Sequence, residues 1–381
     1  MRVFTSQLRL ASLTTSTKES EDAAINAEHI LNSKFGQFFK IARNLNKKIT
    51  PHLVAKEKNM KLSVLANLYG SKSLDEALKI ISSLGVHSVE IGAGGYPGKD
   101  HCDPEKLLAD EKALEEFKAT FKKYDVEICA LATHGNPVHP NKEIAAQFDK
   151  DMRNTILLAE KLGIDTIITF SGCPGSDPDA KLPSWVTCPW PDDFLDTLNY
   201  QWNDVMIPYW KEATAFAKAH GVTKIALEMH PGFCVYNPET LLKLRAAVGD
   251  VIGANLDPSH LIWQGIDPVM AIRALEGAIY HVHAKDTKVD KANTAVNGVL
   301  DTKHYGDEIH RSWIFRTVGY GNGEEFWRAF VSNLRLCGYD KVLSIEHEDS
   351  LMTIDEGLAK AVEFLDRVMI KESKPTGMRW A

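Results

Sequence analysis

The sequence predicts an α/β protein, a (β/α)8 TIM barrel preceded by an N-terminal appendage that is helical or disordered. From residue 61 onward, short apolar runs alternate with longer segments whose apolar residues recur about every 3.6 positions. The short runs are almost continuously apolar, which is typical of parallel strands buried on both faces. Eight successive strand–helix pairs favour a closed barrel over an open, doubly wound sheet.

Each predicted strand is short and is followed by a predicted helix. The strands comprise residues 62–68, 88–93, 126–132, 165–172, 224–230, 251–257, 278–286 and 341–349. The helices comprise residues 74–84, 104–124, 141–162, 202–220, 238–248, 267–276, 323–337 and 355–370. Gly85, Gly163 and Gly221 stand where three of these helices end, and glycine is the usual residue just beyond a helix C-terminus.

The residue pattern divides the chain into three segments. Residues 1–59 form a separate appendage, interpreted as a leader or an arm. Within it, residues 1–17 are rich in Ser, Thr and Arg without acids, which resembles a transit peptide, and residues 27–44 have the spacing of an amphipathic helix. Residues 60–372 form the predicted catalytic barrel domain, and residues 373–381 form a C-terminal tail.

Composition and charge narrow the function classes. The chain has 381 residues and a net charge of −7, so it lacks the basic balance of nucleic-acid-binding domains, and no nucleic-acid partner is expected. No apolar run reaches 18 residues, so no membrane partner is expected. Six cysteines without a CxxC pair are too few for a disulfide scaffold and indicate free thiols in a reducing cytoplasm.

Two long connections leave the C-terminal ends of predicted strands, the edge at which barrel active sites are built. Residues 171–201 follow the fourth strand and residues 287–322 follow the seventh. Their tryptophans, including Trp185, Trp190 and Trp313, favour ordered lids over disordered loops. Such rings either stack on a sugar or pack against their own loop, and the sequence leaves both interpretations open.

Four side chains of the kinds that bind metals end four consecutive predicted strands, the fifth to the eighth. They are Glu228, Asp257, His283 and Glu346. Adjacent strand ends of a barrel converge on one region, where three carboxylates beside an imidazole favour a bound cation. The set predicts one divalent metal ion. Three carboxylates favour Mn, with Zn, Co, Fe or Mg as alternatives.

Further polar residues lie near these strand ends. Five are candidate substrate contacts: His134, His230, His260, Lys285 and Arg316. Each of the five also has a structural interpretation, as a packed, capping, paired or solvated side chain. Asp286 is predicted to orient a ligand histidine through the other ring nitrogen. Glu90 in the second strand is either an acid low in the barrel mouth or a buried ion-pair partner.

The two glutamates of the predicted metal set suit proton transfer. Glu228 and Glu346 come from the fifth and eighth strands and are expected to face each other across the metal. With the substrate carbonyl polarised, one glutamate removes a proton from the adjacent carbon and the other returns one. Return to the same carbon is epimerisation, return to the neighbouring carbon is isomerisation, and loss of a β-substituent is elimination.

The strand-end pattern E…D-x-x-H…H-x-K-D…E resembles that of the xylose isomerase-like TIM barrels, or sugar phosphate isomerase/epimerase family, over about residues 60–370. Members similar to D-tagatose 3-epimerase bind a metal through four residues, which match Glu228, Asp257, His283 and Glu346. By this likeness Glu228 and Glu346 are also the acid–base pair, and His260 contacts the substrate.

The resemblance leaves the reaction open, because isomerases, epimerases, inosose dehydratases and 3-keto-glycoside lyases share the pattern. The leading hypothesis is a metal-dependent sugar isomerase or epimerase with a small carbohydrate substrate. The second is a lyase on a keto-sugar or keto-inositol, a dehydratase or C-glycoside deglycosidase, which the long loops favour. The third is a non-catalytic sugar-binding barrel or the scaffold subunit of a complex. For partners, the sequence leaves open a homo-oligomer and a place in a larger complex. Endonuclease IV also shares the pattern, but Glu90 stands where it would have a metal-binding histidine, so DNA repair is not expected.

Overall fold

Eight parallel strands close into a barrel in the computed structural model, which describes residues 60–372. The barrel strands are β1 (Lys61–Leu65), β2 (Ser88–Gly92), β3 (Glu127–Ala132), β4 (Thr166–Phe170), β5 (Lys224–Glu228), β6 (Ile252–Leu256), β7 (Ile279–Ala284) and β10 (Val342–Ile345). Two further strands, β8 (Asp286–Val289) and β9 (Trp313–Arg316), form a separate sheet outside the barrel. The barrel strands follow chain order around the barrel, and β10 closes it by pairing with β1. The predicted TIM barrel is confirmed.

Helices surround the barrel within residues 60–372. They are α1 (Leu74–Ser83), α2 (Pro104–Ala109), α3 (Glu111–Lys123), α4 (Lys142–Leu162), α5 (Asp193–Asn199), α6 (Ile207–Ala219), α7 (Pro238–Val248), α8 (Pro258–Trp263), α9 (Pro268–Ala274), α10 (Lys291–Asn297), α11 (Glu324–Leu336) and α12 (Ile354–Val368). A 3-10 turn (Ala66–Tyr69) follows β1, and a π-helical segment (Tyr200–Met206) joins α5 to α6. At the end of α4, Gly163 adopts a φ of 69°, the left-handed conformation that glycine tolerates best.

The single helix predicted over residues 104–124 is in fact two, α2 and α3. Asp110 separates them with an extended backbone, and its carboxylate accepts hydrogen bonds from the backbone N–H groups of Lys112 and Ala113. An aspartate in this position is a strong N-terminal cap, so it ends one helix and begins the next. The apolar periodicity continues across the break, which is why the pattern indicated one helix.

Both long connections contain regular structure. The first ends in α5, and the second folds into an antiparallel hairpin in which β8 pairs with β9, Val289 opposite Trp313. The Trp313 ring stacks on Trp263 with centroids 4.5 Å apart and is buried. It also packs against Phe315 of its own loop, with ring centroids 5.2 Å apart, so the interpretation of Trp313 as loop packing is confirmed. Trp190, in contrast, is 75% exposed.

Side chains alternate between the barrel interior and the surrounding helices. On β7, Val282 joins the apolar core beneath the helices, whereas His281 and His283 occupy the alternate positions. Three alanines, Ala130, Ala132 and Ala226, pack with Leu65 and Ile168 in a cluster apart from the main core. Small residues leave room inside the barrel for polar side chains, and this arrangement forms the floor of the site described below.

The predicted appendage (residues 1–59), including its helix over residues 27–44, and the predicted tail (residues 373–381) lie outside the described residues. These assignments stay predictions. Among residues 60–372, no helix has the length and apolar character needed to cross a bilayer.

Candidate metal centre

The four side chains predicted as metal ligands meet at the C-terminal end of the barrel. One ligand atom from each of them lies within 4.8 Å of those of the others; the residues are Glu228, Asp257, His283 and Glu346. Glu228 is the last residue of β5, His283 lies in β7, and the other two directly follow β6 and β10. Parallel strands in register bring these positions together because all their C-terminal ends open on the same face.

Several buried polar atoms in this cluster have no hydrogen-bond partner. They are Nδ1 of His283, Oδ2 of Asp257 and Oε2 of Glu346. The His283 nitrogen lies 3.0 Å from Glu346 Oε2 and 3.2 Å from Glu228 Oε2. Unpartnered buried polar atoms are rare and costly, and here they converge. A divalent metal would satisfy them together, and these oxygen and nitrogen donors fit one.

The carboxylate of Glu228 is held by two donors on one oxygen. Its Oε2 accepts hydrogen bonds from His134 Nε2 at 3.1 Å and from Asn255 Nδ2 at 3.0 Å. His260 Nε2 lies 3.1 Å from the other oxygen, Oε1. Burial opposes ionisation, but His134 and His260 outweigh it and hold the pKa of Glu228 well below its usual range. Asn255 was missed in the sequence, where its only signal is an amide inside an apolar strand.

Three of the predicted substrate contacts surround this glutamate. His134 and His260 approach it directly, and the ring of His230 lies 4.1 Å from that of His260. His230 Nδ1 contacts the carbonyl oxygen of Pro231, and burial lowers the pKa of His230 to about 3, so this ring is neutral. The structure therefore brings these three histidines to the site.

Lys285 is a buried ion-pair partner of the site's carboxylates. Its Nζ lies 3.3 Å from Glu346 Oε2 and 2.5 Å from Glu348 Oε2, and it sits over the Phe315 ring at 4.3 Å. Burial opposes the charge, yet the neighbouring glutamates outweigh it and raise the pKa of Lys285 well above its usual value. Glu348, which sequence reasoning missed, thus joins the site through Lys285.

Arg316, the predicted contact for an anionic or hydroxyl-rich substrate end, is engaged elsewhere. Its Nε donates to Asp349 Oδ2 at 3.0 Å, and its guanidinium lies 5.5 Å from the centre of the Tyr320 ring. None of its contacts in the described part of the chain is with the four clustered side chains.

Asp286 does not orient a ligand histidine, so that prediction is wrong. Its Oδ2 accepts hydrogen bonds from the backbone N–H groups of Gly319, Gly321 and Asn322, at 2.8–3.1 Å. The physical reason is that β7 ends at Ala284, after which the chain leaves the barrel and begins the outlying hairpin. Asp286 therefore joins the start of β8 to the loop that follows β9.

A carboxylate from another strand occupies the place predicted for Asp286. Glu90 Oε2 lies 3.0 Å from His283 Nε2, the ring nitrogen opposite the one in the cluster. Of the two interpretations of Glu90, the buried ion-pair partner is the one observed, since its side chain is completely buried. It also contacts His281, which sequence reasoning missed although the H-x-H spacing places both histidines on one side of a strand.

A cavity of about 140 Å³ opens beside the cluster. Apolar and aromatic side chains form one part of its wall, and acidic side chains another. The lining residues are Leu65, Asn67, Tyr96, Pro97, His134, Phe170, Glu228, Glu346 and Glu348. An apolar and aromatic wall with a few polar groups is the usual composition of a small-molecule binding site.

The fold and this cluster define a TIM barrel with a candidate metal centre at the C-terminal ends of its strands. Comparison with known proteins identifies the family of barrels to which the chain belongs. A profile of the xylose isomerase-like TIM barrel family matches residues 78–368, so the chain belongs to that family. The uncharacterized protein YfiH of Bacillus subtilis (strain 168) is 40% identical over 312 residues, which cover 81% of this chain and 99% of YfiH.

Solved structures share the barrel at lower identity. The IolI protein, solved with a binding zinc atom, is 19% identical with a TM-score of 0.57, over 81% of this chain and 98% of that one. A D-tagatose 3-epimerase-like protein is 22% identical with a TM-score of 0.54, again over 81% and 98% of the two chains. At these identities the likeness shows a common fold.

Metal affinity at this centre is expected to depend steeply on pH. Burial raises the pKa of Asp257 to about 6, and the charges of Glu228 and Glu346 add to this effect. For His283, burial opposes the charged form, but the nearby carboxylates outweigh it and raise the pKa well above its usual value. A metal must displace the His283 proton throughout pH 5–7, and a second proton from Asp257 below about pH 6. As the pH is lowered from 7 to 6, affinity for Mn²⁺ should therefore fall by about tenfold per pH unit. Below pH 6 it should fall more steeply.

Competition with a chelator at several pH values measures this dependence. In the Asp257→Asn variant, whose absolute affinity is lower, the extra slope below pH 6 is expected to disappear. An affinity that stays constant between pH 5 and pH 7 in the parent protein would contradict this description of the centre.

Proposed function

We propose that the protein is a divalent-metal-dependent sugar isomerase or epimerase that moves a proton at a carbon next to a carbonyl, through an enediolate of the substrate. The observation that carries the proposal is the position of Glu228 and Glu346. Each places a carboxylate oxygen within 3.2 Å of His283 Nδ1, beside a cavity with an aromatic wall. Two carboxylates so close to one point can serve a single substrate carbon or two adjacent ones.

The four clustered residues would hold the metal: Glu228, Asp257, His283 and Glu346. When bound, it supplies a Lewis acid that polarises the substrate carbonyl and the adjacent hydroxyl. Three carboxylates favour Mn²⁺ as this metal. The zinc in the related IolI structure supports Zn²⁺ as the alternative.

Glu346 is the better placed of the two glutamates to take the first proton. Its Oε2 has no hydrogen-bond partner, and its side chain is 16% exposed at the cavity, whereas Glu228 is 3% exposed and its Oε2 already accepts two hydrogen bonds. Burial raises the pKa of Glu346, but Lys285 and His283 outweigh it and lower that pKa to about 2, so the carboxylate is ionised at neutral pH. Glu228 returns a proton from its own side of the carbon, after taking one up from water through His134, which contacts its Oε2 and lines the cavity, and Glu346 releases its proton to water at the cavity.

The surrounding histidines are suited to hold the substrate. His134 lines the cavity, His260 lies beside Glu228, and His230 packs against the ring of His260. Imidazole nitrogens can donate to or accept from sugar hydroxyls. We assign substrate contacts to these three residues, whereas Lys285 acts through the glutamates that it pairs with.

Metal-loaded protein incubated in D₂O with a panel of ketoses and aldoses tests the proposal. Deuterium is expected at the carbon next to the carbonyl, in the recovered sugar and in a product of otherwise unchanged mass. Glu308→Gln, an exchange on the outlying segment after β8, is the matched control and should leave incorporation intact. Absence of deuterium in every sugar, with metal bound to the protein, would contradict the assignment.

A neutral sugar is expected to be a better substrate than its phosphate ester. The described cavity wall contains Glu228, Glu346 and Glu348 and no lysine or arginine, while Lys285 and Arg316 are each paired with carboxylates. A phosphate dianion would meet this acidic wall without a free cation. We expect kcat/KM for a ketose to exceed that for its phosphate by at least about tenfold, which is about 1.4 kcal/mol. Steady-state kinetics on matched pairs would contradict this if the phosphates react equally well.

A lyase acting on a keto-sugar or keto-inositol is the second candidate. The observation that favours it is the hairpin β8–β9, whose Phe315 contacts Lys285 and lies 5.4 Å from the His260 ring, so that an added segment reaches the site. Such a segment suits a glycoside larger than a simple ketose. The D₂O reaction separates the two candidates, since a lyase product lacks the mass of water or of an aglycone. The third hypothesis, a binding barrel, predicts sugar binding without deuterium uptake.

A further inference from the structure

A buried carboxylate forms the floor beneath the candidate metal centre. Glu90, on β2, is completely buried, and a single oxygen, Oε2, makes three contacts. His281 Nε2 lies at 2.9 Å, His283 Nε2 at 3.0 Å and Ser344 Oγ at 3.0 Å. One oxygen thus gathers donors from two other strands of the barrel, β7 and β10.

The direction of these hydrogen bonds follows from the chemistry of the carboxylate. An ionised carboxylate only accepts, so all three neighbours donate to Glu90. His283 therefore carries a proton on Nε2, and its Nδ1 is the nitrogen turned toward the carboxylates above.

The arrangement is a product of the barrel register. His281 and His283 are alternate residues of β7 and face the interior together, and Ser344 of β10 is the direct neighbour of His283 across the ladder. In the order around the barrel, β1 and β10 stand between β2 and β7, so Glu90 reaches across the interior. The small residues of the interior leave the space for it.

We propose that Glu90 is a positioning residue that holds His283 with Nδ1 toward the metal and thereby sets metal affinity. His281 and Ser344 hold Glu90 in turn. Carboxylates that accept the second N–H of a ligand histidine fix both its ring orientation and the nitrogen that binds. The inference rests on the metal centre of the proposed function and is independent of which reaction that centre performs.

The Glu90→Gln variant keeps the shape of the side chain and removes its charge. Its affinity for Zn²⁺ and Mn²⁺, from chelator competition, is expected to be about 10–100-fold weaker than that of the parent protein. Ser344→Ala leaves both histidine contacts in place and should lower affinity by less than threefold. Glu127→Gln, the same exchange at an exposed site on β3, is the matched control and should leave affinity unchanged.

A second measurement uses the parent protein alone, so it stands even where the variant fails to fold. In the ¹⁵N-histidine NMR spectrum of the Zn²⁺-loaded protein, His283 is expected to bear a proton on Nε2 and the metal on Nδ1. The reverse arrangement overturns the proposal, as does an affinity within twofold of the parent in folded Glu90→Gln. A parent protein that binds no metal overturns the proposed function as well, whereas a parent that binds metal and does not need Glu90 overturns this inference alone.

Discussion

Glu346→Gln is expected to lower kcat by about 10²–10⁴-fold, the usual contribution of a positioned acid–base group. The amide can no longer take a proton from the substrate, although its oxygen can still approach a metal. Lys285, which lies 3.3 Å from Glu346 Oε2, loses a charged partner but keeps Glu348. The loss should appear in deuterium incorporation from D₂O as well as in turnover, measured at saturating metal.

Glu348→Gln supplies the matched control for this prediction. Glu348 contacts the same lysine and lines the same cavity but lies outside the cluster of four. Its exchange should change kcat by less than tenfold. If metal-loaded Glu346→Gln retained more than half of the parental rate, Glu346 would not be the base.

The second large effect is expected on metal binding. His283→Ala removes the only nitrogen ligand of the cluster and leaves the buried carboxylate of Glu90 with one histidine donor fewer. Since loss of an outer partner of a ligand already costs about 10–100-fold in affinity, loss of the ligand should cost more than about 100-fold. Elemental analysis after dialysis and chelator competition measure this directly.

A second histidine at the C-terminal end of the barrel, His230, provides the control for His283→Ala. His230→Ala removes an imidazole beside His260 that is outside the cluster of four. Metal affinity should stay within about threefold of the parent value while the affinity for sugar falls. Equal metal loss in the two variants would indicate a non-specific disruption of the C-terminal end of the barrel and would contradict the specific role of His283.

The barrel was predictable because its signal is local. Buried parallel strands leave continuous apolar runs, and the helices between them leave a 3.6-residue period, so both are visible in short windows. The hairpin β8–β9 was not visible in this way. Its strands are four residues each, and the pairing of Val289 with Trp313 joins positions far apart in the chain, with α10 between them.

The same distinction applies to the site. The positions of Glu228, Asp257, His283 and Glu346 follow from the register of parallel strands, which brings consecutive strand ends to one face. Partners within the barrel depend on geometry that a pattern does not contain. Whether Asp286 or Glu90 contacts His283 depends on where β7 ends and on how far a side chain of β2 reaches across the interior.

The central claim is that these four side chains bind one divalent metal, and a crystal structure with Mn²⁺ and anomalous scattering data tests it most directly. The claim predicts a single anomalous peak at the C-terminal end of the barrel, about 2.0–2.3 Å from an oxygen or nitrogen of each of the four residues. No peak at saturating Mn²⁺, or a peak held by other residues, would contradict it.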